Sequence, residues 1–134
     1  MTGSILYLDS SALVKLIVPE AETIPLLRLM LAWPYRLASE VGFVEVHRAV
    51  RRISREYELQ KRAEDVLSTI HFMDVHMGIL GEASLLEPLH LRSLDAIHVA
   101  TAVILGSEVG GFVTYDRNMR DAARRMKLNV LAPS

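Results

Sequence analysis

The stretch that decides the fold is Ile5-Leu6-Tyr7-Leu8-Asp9-Ser10-Ser11, near the start of the chain. Four consecutive apolar residues are typical of a strand that is buried on both faces. Asp9, Ser10 and Ser11 are residue types that accept hydrogen bonds at a helix N-terminus. The stretch therefore predicts a buried strand that leads directly into a helix, with Asp9 at the point where the strand ends.

The same alternation of strand and helix continues along the chain. Predicted strands cover 5–8, 35–38, 72–75, 112–115 and 129–131; predicted helices cover 12–18, 20–33, a segment from the Ser39 cap to about 53, 57–71, 78–86, 94–105 and 117–126. Strands with continuous apolar runs between helices indicate an α/β fold, in which helices cover both faces of a parallel sheet. No repeat, low-complexity tract or linker interrupts the pattern, and Gly110-Gly111 is expected to be a turn. We therefore expect one domain over 1–134.

Composition excludes several classes of protein. The 134 residues contain no cysteine, which rules out disulfides and thiolate metal sites. Residues 1–4 lack the features of a secretory signal, and no apolar run is long enough to span a bilayer. We therefore expect a soluble cytoplasmic protein. A net charge of −1 argues neither for nor against nucleic acid, because a phosphate-binding face can be local.

Four acids stand at positions where ligands bind in such a fold. Asp9 and Asp116 each follow a predicted strand, and parallel α/β sheets bind ligands beyond the carboxyl ends of their strands. Both residues are also suited to be ordinary N-caps. Asp95 lies in the first turn of an almost wholly apolar helix, where it would also compensate the helix dipole. Glu45 lies in an amphipathic helix and could simply pair with Arg48.

The joint pattern of these acids is more informative than any one of them. Its carriers are Leu8-Asp9-Ser10-Ser11-Ala12-Leu13-Val14-Lys15-Leu16, Val44-Glu45-Val46-His47-Arg48-Ala49, Leu91-Arg92-Ser93-Leu94-Asp95-Ala96-Ile97-His98-Val99-Ala100-Thr101-Ala102 and Val113-Thr114-Tyr115-Asp116-Arg117-Asn118-Met119. In this order and spacing the four segments resemble the PIN-domain family and, within it, the VapC ribonuclease toxins of toxin–antitoxin pairs. The resemblance covers essentially the whole chain.

The resemblance implies a three-layer α/β/α fold with a parallel sheet in the order 3-2-1-4-5 and acids converging at its carboxyl edge. Asp9, Glu45 and Asp95 match the three most characteristic acids of the family, and Asp116 matches a fourth, more variable position. Two small hydroxyl residues, Ser10 and Thr114, match positions that line the same pocket.

Clustered carboxylates repel one another by roughly 1 kcal/mol per pair at ~4 Å in water, and by more in a cleft. Such a cluster needs a counter-charge, and oxygen ligands without histidine or cysteine select Mg²⁺ or Mn²⁺. We therefore predict metal-dependent hydrolysis of RNA, with Asp9 and Asp95 as direct ligands. Glu45 and Asp116 would bind a second ion or orient the attacking water.

Two further features allow two interpretations each. Arg48 and Arg52 follow Glu45 on one helix face, where they either bind RNA phosphates or form a solvated surface. His98 lies three residues after Asp95 and is interpreted as a packed structural histidine, with orientation of Asp95 as the alternative.

The leading hypothesis is an endoribonuclease toxin that a small VapB-type antitoxin holds inactive. The resemblance further implies a homodimer and a larger toxin–antitoxin assembly. The antitoxin would lie in a groove beside the first helices, with Leu13, Leu16, Ile17, Leu27 and Leu31 as candidate apolar contacts. The alternatives are a PIN nuclease of RNA processing and a catalytically silent PIN-fold binding module.

Overall fold

The computed structural model describes residues 2–134, and its centre is a five-stranded sheet in which all strands are parallel. The strands are β1 (Ile5–Leu8), β2 (Tyr35–Ser39), β3 (His71–Met73), β4 (Val109–Val113) and β5 (Val130–Leu131). Their order across the sheet is β3-β2-β1-β4-β5, which is the order that the resemblance implies. β1 is central, so the carboxyl ends of β1 and β4 lie side by side.

Seven helices cover the sheet. They are α1 (Ser10–Ile17), α2 (Thr23–Met30), α3 (Glu40–Ile53), α4 (Tyr57–Leu67), α5 (Met77–Ser84), α6 (Ser93–Leu105) and α7 (Arg117–Arg125), with a short 3₁₀ helix at Gly106–Glu108. Leu6 and Leu8 of β1 pack in a core with residues of α1 to α4. Tyr7 points into a second core with residues of α5, α6 and α7. The alternation of side chains along β1 thus separates two apolar cores, and the predicted three-layer α/β/α arrangement is confirmed.

Most predicted elements are present, with shifted ends. The second helix is shorter than the predicted 20–33, because the Thr23 hydroxyl accepts from the Glu20 amide and donates to the Lys15 carbonyl, which holds the preceding residues in a turn. The fourth helix ends at Leu67 rather than near 71, and two further turn bonds lead into β3. Ser39 caps α3 as predicted, whereas Arg92 occupies the cap position that Ser93 was expected to fill.

Gly110 and Gly111 lie inside β4, so their assignment to a turn was wrong. The pairing of β1 with β4 shifts register at this point, from Ile5–Val109 to Leu6–Gly111. A side chain at Gly110 would collide with the Gly3 carbonyl and the Trp33 ring. The two glycines therefore allow the backbone of β4 to lie close to Gly3 and Trp33, and a glycine within a strand often marks such a close approach.

Apolar residues expected on an exposed groove divide into two groups. Leu13, Leu16 and Ile17 of α1 are buried in the core and offer no surface. Leu27 and Leu31 at the end of α2 are exposed, Leu31 by 85%. Within residues 2–134, no helix is both long enough and apolar enough to cross a membrane.

Candidate active site

Asp9 lies at the carboxyl end of β1 and is completely buried. Its Oδ1 accepts from the amide of Ala12 at 2.9 Å and from the hydroxyl of Ser11 at 2.7 Å, so the residue is the N-cap of α1. Its Oδ2 accepts from Thr114 Oγ1 at 2.5 Å. Burial raises the pKa of Asp9, while the nearby His98 and the three hydrogen bonds act to lower it. A carboxylate has about four acceptor positions, so one lone pair of Oδ2 remains for a further ligand.

Thr114 joins Asp9 to Asp116. Its hydroxyl donates to Asp9 and accepts from the backbone amide of Asp116 at 3.1 Å. Asp116 is exposed, and its Oδ1 accepts from the amide of Met119 at 2.8 Å. The predicted N-cap role of Asp116 at α7 is therefore confirmed, and the residue also lies beside the other acids.

Glu45 is held by a histidine. Its Oε1 lies 2.6 Å from Nε2 of His98, which is fully buried, whereas the Glu45 side chain is 22% exposed. The alternative interpretation of Glu45, a pair with Arg48 on the same helix, does not hold, because its partner is His98 of α6.

The pKa of Asp95 is affected by the charges of the other three acids. It is the third residue of α6 and is half-buried. Burial and then the negative charge of Asp116 raise its pKa to about 6; Glu45 and Asp9 add to the increase, and His98 opposes it. The four acids thus converge in one electrostatic environment, although they come from four separate segments. A carboxyl whose pKa is raised in this way is an indicator of a functional site.

An open cleft of about 600 Å³ adjoins this acidic cluster. Glu45, Ser10 and Ser11 line it, together with Arg48 and Arg52. Lys15 also lines the cleft, but its ammonium is paired with Glu20 at 2.6 Å and Glu22 at 3.2 Å. A second cleft of similar size lies at the amino ends of β1 and β2 and contains none of these acids. Of these two clefts, the first is lined by a member of the acidic cluster, Glu45, together with the arginines of α3.

The basic side of the cleft belongs to α3. Arg48 and Arg52 are exposed, and they continue into a surface hollow lined by Arg48, Arg51, Arg52 and Arg55. Within residues 2–134 none of the four arginines has a hydrogen-bond or ion-pair partner. A row of unpaired guanidinium groups beside an acidic cleft can contact a polyanion.

The donor set fits a hard divalent cation in its chemistry. It consists of carboxylate oxygens, which are the ligands that Mg²⁺ and Mn²⁺ prefer. Burial raises the pKa of both Asp9 and Asp95, and at Asp95 the charges of the other acids add to the increase. In the described part of the chain, however, no three histidine or acidic side chains stand close enough to form a ready-made metal group. The acids share one site without yet forming a closed coordination shell.

The sequence did not place Ser11, His98 or Tyr7 among the site residues, although Ser11 and His98 contact its acids and Tyr7 contacts His98. Ser11, rather than the neighbouring Ser10, bonds Asp9 and also accepts from the Tyr115 amide at 3.0 Å. Ser10 lines the cleft without a hydrogen bond to the acids. His98 contacts Glu45 and not Asp95, and its Nδ1 lies 2.7 Å from the hydroxyl of Tyr7. The sequence feature that could have identified His98 is a polar side chain at a buried position of an otherwise apolar helix.

Comparison with known proteins defines the class of this fold and site. The family model of the PIN domain matches residues 6–125. Among solved structures, VapBC2 from Rickettsia felis, bound to a DNA fragment from their promoter, superposes with a TM-score of 0.75. That likeness covers 97% of this chain and 99% of that chain, and at 14% identity it concerns the fold alone.

Sequence relatives narrow the class further. Ribonuclease VapC46 of Mycobacterium tuberculosis is 40% identical over 129 residues, which are 96% of this chain and 98% of that protein. Ribonuclease VapC47 of the same species is 33% identical over 132 residues, at 96% of both chains. The chain belongs to the PIN-domain family and, within it, to the VapC ribonucleases.

Proposed function

We propose that this protein is an endoribonuclease that hydrolyses RNA phosphodiester bonds with the help of Mg²⁺ or Mn²⁺. The observation that supports the proposal most is that Asp9, Glu45, Asp95 and Asp116 share one environment, in which burial and then the charges of the other three acids raise the pKa of Asp95 to about 6. Such accumulation of negative charge opposes folding and is retained where a cation offsets it. The names of the relatives, which are ribonucleases, support the same activity.

Each acid has a proposed role that suits its surroundings. Asp9 and Asp95 are the direct ligands, because Asp9 is fixed by three donors and the pKa of Asp95 is raised by burial and by the charges of the other three acids. Glu45 and Asp116 hold a second ion or orient the attacking water. When bound, the cation would lower the pKa of a water molecule and stabilise charge on the phosphodiester and leaving oxygens. The products would carry a 5′-phosphate and a 3′-hydroxyl.

Thr114 and Ser10 act as supporting residues in this proposal. Thr114 keeps Asp9 in place through its hydroxyl. Ser10 lies on the wall of the cleft, where its hydroxyl is available to substrate.

Arg48 and Arg52 are proposed to bind the RNA backbone. They line the same cleft as Glu45, and Arg51 of α3 and Arg55, just after the end of α3, extend the positive surface. Phosphate contacts of this kind orient a nucleic acid without reading its sequence. An RNA strand would thus be held along α3 with one phosphodiester at the acids.

The biological role is proposed to be that of a toxin held inactive by a small VapB-type antitoxin. The structural neighbour from Rickettsia felis is a VapBC protein, which favours a partner of that kind. Leu27 and Leu31 at the end of α2 offer exposed apolar surface for such a partner. A homodimer and a larger toxin–antitoxin assembly belong to the same proposal.

The activity is tested by incubating purified protein with total RNA in the presence of Mg²⁺, Mn²⁺ or EDTA and mapping the new 5′ ends. The proposal predicts cleavage with either ion and none with EDTA. Cleavage that survives EDTA would exclude the metal mechanism. Binding of RNA without any cleavage would favour a catalytically silent PIN module.

The toxin role is tested separately by expression in bacteria. Growth arrest by the wild type, relieved by the product of a small neighbouring reading frame, is the expected result. A cleaving enzyme whose expression leaves growth unaffected would instead be a nuclease of RNA processing.

A further inference from the structure

A buried line of hydrogen bonds runs from the central strand to the acidic cleft. It begins at the hydroxyl of Tyr7 on β1, which lies 2.7 Å from Nδ1 of His98 on α6. It continues from Nε2 of His98 to Oε1 of Glu45 on α3, at 2.6 Å. Tyr7 and His98 are both completely buried, and only Glu45 reaches solvent. The line therefore connects three elements and ends at one proposed catalytic acid.

The chemistry of the three groups determines which atom donates in each of these two hydrogen bonds. A carboxylate is only an acceptor, so Nε2 of His98 carries the hydrogen that Glu45 receives. In the neutral ring Nδ1 is then an acceptor, and the Tyr7 hydroxyl donates to it. Burial, followed by the charge of Asp9, raises the pKa of Tyr7 and keeps this phenol protonated. The Ser39 backbone and the Thr101 side chain act in the opposite direction and lower the pKa of Tyr7, but burial outweighs them.

Packing fixes the two rings. The ring of Tyr7 stacks on Phe112 with centroids 5.0 Å apart and planes 1° from parallel. The ring of His98 packs edge-on to Tyr7 and lies so close to α3 that a Cβ at Gly42 would stand 3.4 Å from its Cε1. His98 thus lies beside α3, and both rings are completely buried among these neighbours.

We propose that Tyr7 and His98 are positioning residues that fix one oxygen of Glu45 and so direct this carboxylate toward the cation and substrate. The inference rests on the proposed function. Glu45 has a long side chain that would otherwise lose rotamer freedom on ligand binding, and the His98 contact fixes it beforehand. Outer-shell groups that orient carboxylates in this way typically change metal affinity or activity by about 10–100-fold when they are removed.

A purely structural role makes a different prediction. A buried polar pair is often replaced by apolar residues of similar shape at little cost in stability. If Tyr7 and His98 only fill space, apolar replacements that fold should bind Mn²⁺ as the wild type does. If they position Glu45, Mn²⁺ affinity should fall when the hydrogen-bond donor is removed, even where the volume of the side chain is kept.

The experiment compares His98→Leu with His98→Gln, and Tyr7→Phe with Tyr35→Phe. Gln retains an N–H near the position of Nε2, whereas Leu retains volume only. Tyr35→Phe removes a phenol at the opposite, amino-terminal edge of the sheet and is the matched control. Folding is monitored by circular dichroism, Mn²⁺ affinity by calorimetry, and the His98 tautomer by ¹⁵N NMR of the imidazole ring.

The expected results separate the variants clearly. His98→Leu weakens Mn²⁺ binding by about 10–100-fold, and His98→Gln recovers most of that loss. Tyr7→Phe weakens Mn²⁺ binding by a smaller factor and shifts the ¹⁵N resonance of Nδ1, which loses its hydrogen-bond donor, while Tyr35→Phe changes neither. Where the His98 variants do not fold, the Tyr7→Phe measurements decide.

Wild-type Mn²⁺ affinity in folded His98→Leu, or in Tyr7→Phe, would overturn the inference alone. A wild-type protein that neither binds Mn²⁺ nor cleaves RNA would overturn the proposed function, and the positioning role with it.

Discussion

Thr114 Oγ1 lies 2.5 Å from Oδ2 of Asp9, so a hydroxyl at the end of one strand holds a buried carboxylate at the end of its neighbour. β1 and β4 are adjacent and parallel, which brings these two residues together although 105 positions separate them in the chain. The same hydroxyl accepts from the amide of Asp116. Thr114 thereby sets the relative position of two of the four acids.

Replacement of Thr114 by Val is expected to lower both stability and activity. The variant keeps the shape of the side chain but leaves the buried Asp9 carboxylate without one donor, which costs about 1–3 kcal/mol of unfolding free energy. Urea denaturation and RNA cleavage measure the two effects. Thr114→Ser retains the hydroxyl and is the matched control. Equal stability of Thr114→Val and wild type would show that this hydrogen bond has little effect.

Asp95 predicts a dependence of stability on pH in the metal-free protein. Its pKa is about 6 in the folded state against a reference of 3.8, so the folded state binds this proton more tightly than the unfolded state. The stability it contributes is complete below about pH 3.8 and is lost as the pH rises through about 6. Asp95→Asn removes the penalty, and in EDTA it should exceed the wild type in stability at pH 7.5.

The advantage of Asp95→Asn should shrink as the pH falls from 7.5 to 5, which denaturation at several pH values measures. Asp121→Asn, an exposed change on α7, is the control and should show no such trend. An advantage of Asp95→Asn that is constant with pH would contradict the electrostatic explanation. Saturating Mn²⁺ should reverse the order of stability, because it binds the wild-type carboxylate.

Arg48 and Arg52 predict a salt dependence of RNA binding. If each contacts one phosphate of a single strand, Arg48→Ala or Arg52→Ala should reduce the slope of log affinity against log salt by about 0.7. Arg62→Ala removes an exposed arginine on α4, outside the cleft, and should leave the slope unchanged. Affinity measurements with a short RNA at several salt concentrations provide the test. Equal slopes for all three variants would assign Arg48 and Arg52 to the solvated surface.

The fold followed from the sequence because its main signals are local. The apolar run before Asp9 predicted a strand that is buried on both faces, and β1 is such a strand. The alternation of apolar strands with helices predicted the parallel sheet. The ends of elements were less predictable, since tertiary contacts decide them. At Gly110 the approach of Trp33 keeps the chain in a strand where glycine pairs usually indicate a turn.

The acids of the site were also predictable, since each stands at a recognisable position on its element. Their partners were not. His98 reaches Glu45 across 53 residues, and Ser11 reaches Tyr115 across 104, so neither contact leaves a local pattern. The alternative for Glu45, a pair with Arg48, fails for the same reason, because Glu45 pairs with His98 of another helix.

The most direct test of the central claim is RNA cleavage by Asp9→Asn over a range of Mn²⁺ concentrations, in preparations matched to the wild type for purity and folding. The substitution keeps the size of the side chain and its acceptor for the Ala12 amide, but removes the charge that a cation requires. We predict that cleavage falls to the level of the EDTA control at every Mn²⁺ concentration, while Asp121→Asn cleaves like the wild type. Wild-type cleavage by Asp9→Asn would contradict the assignment of this acidic cluster as the active site.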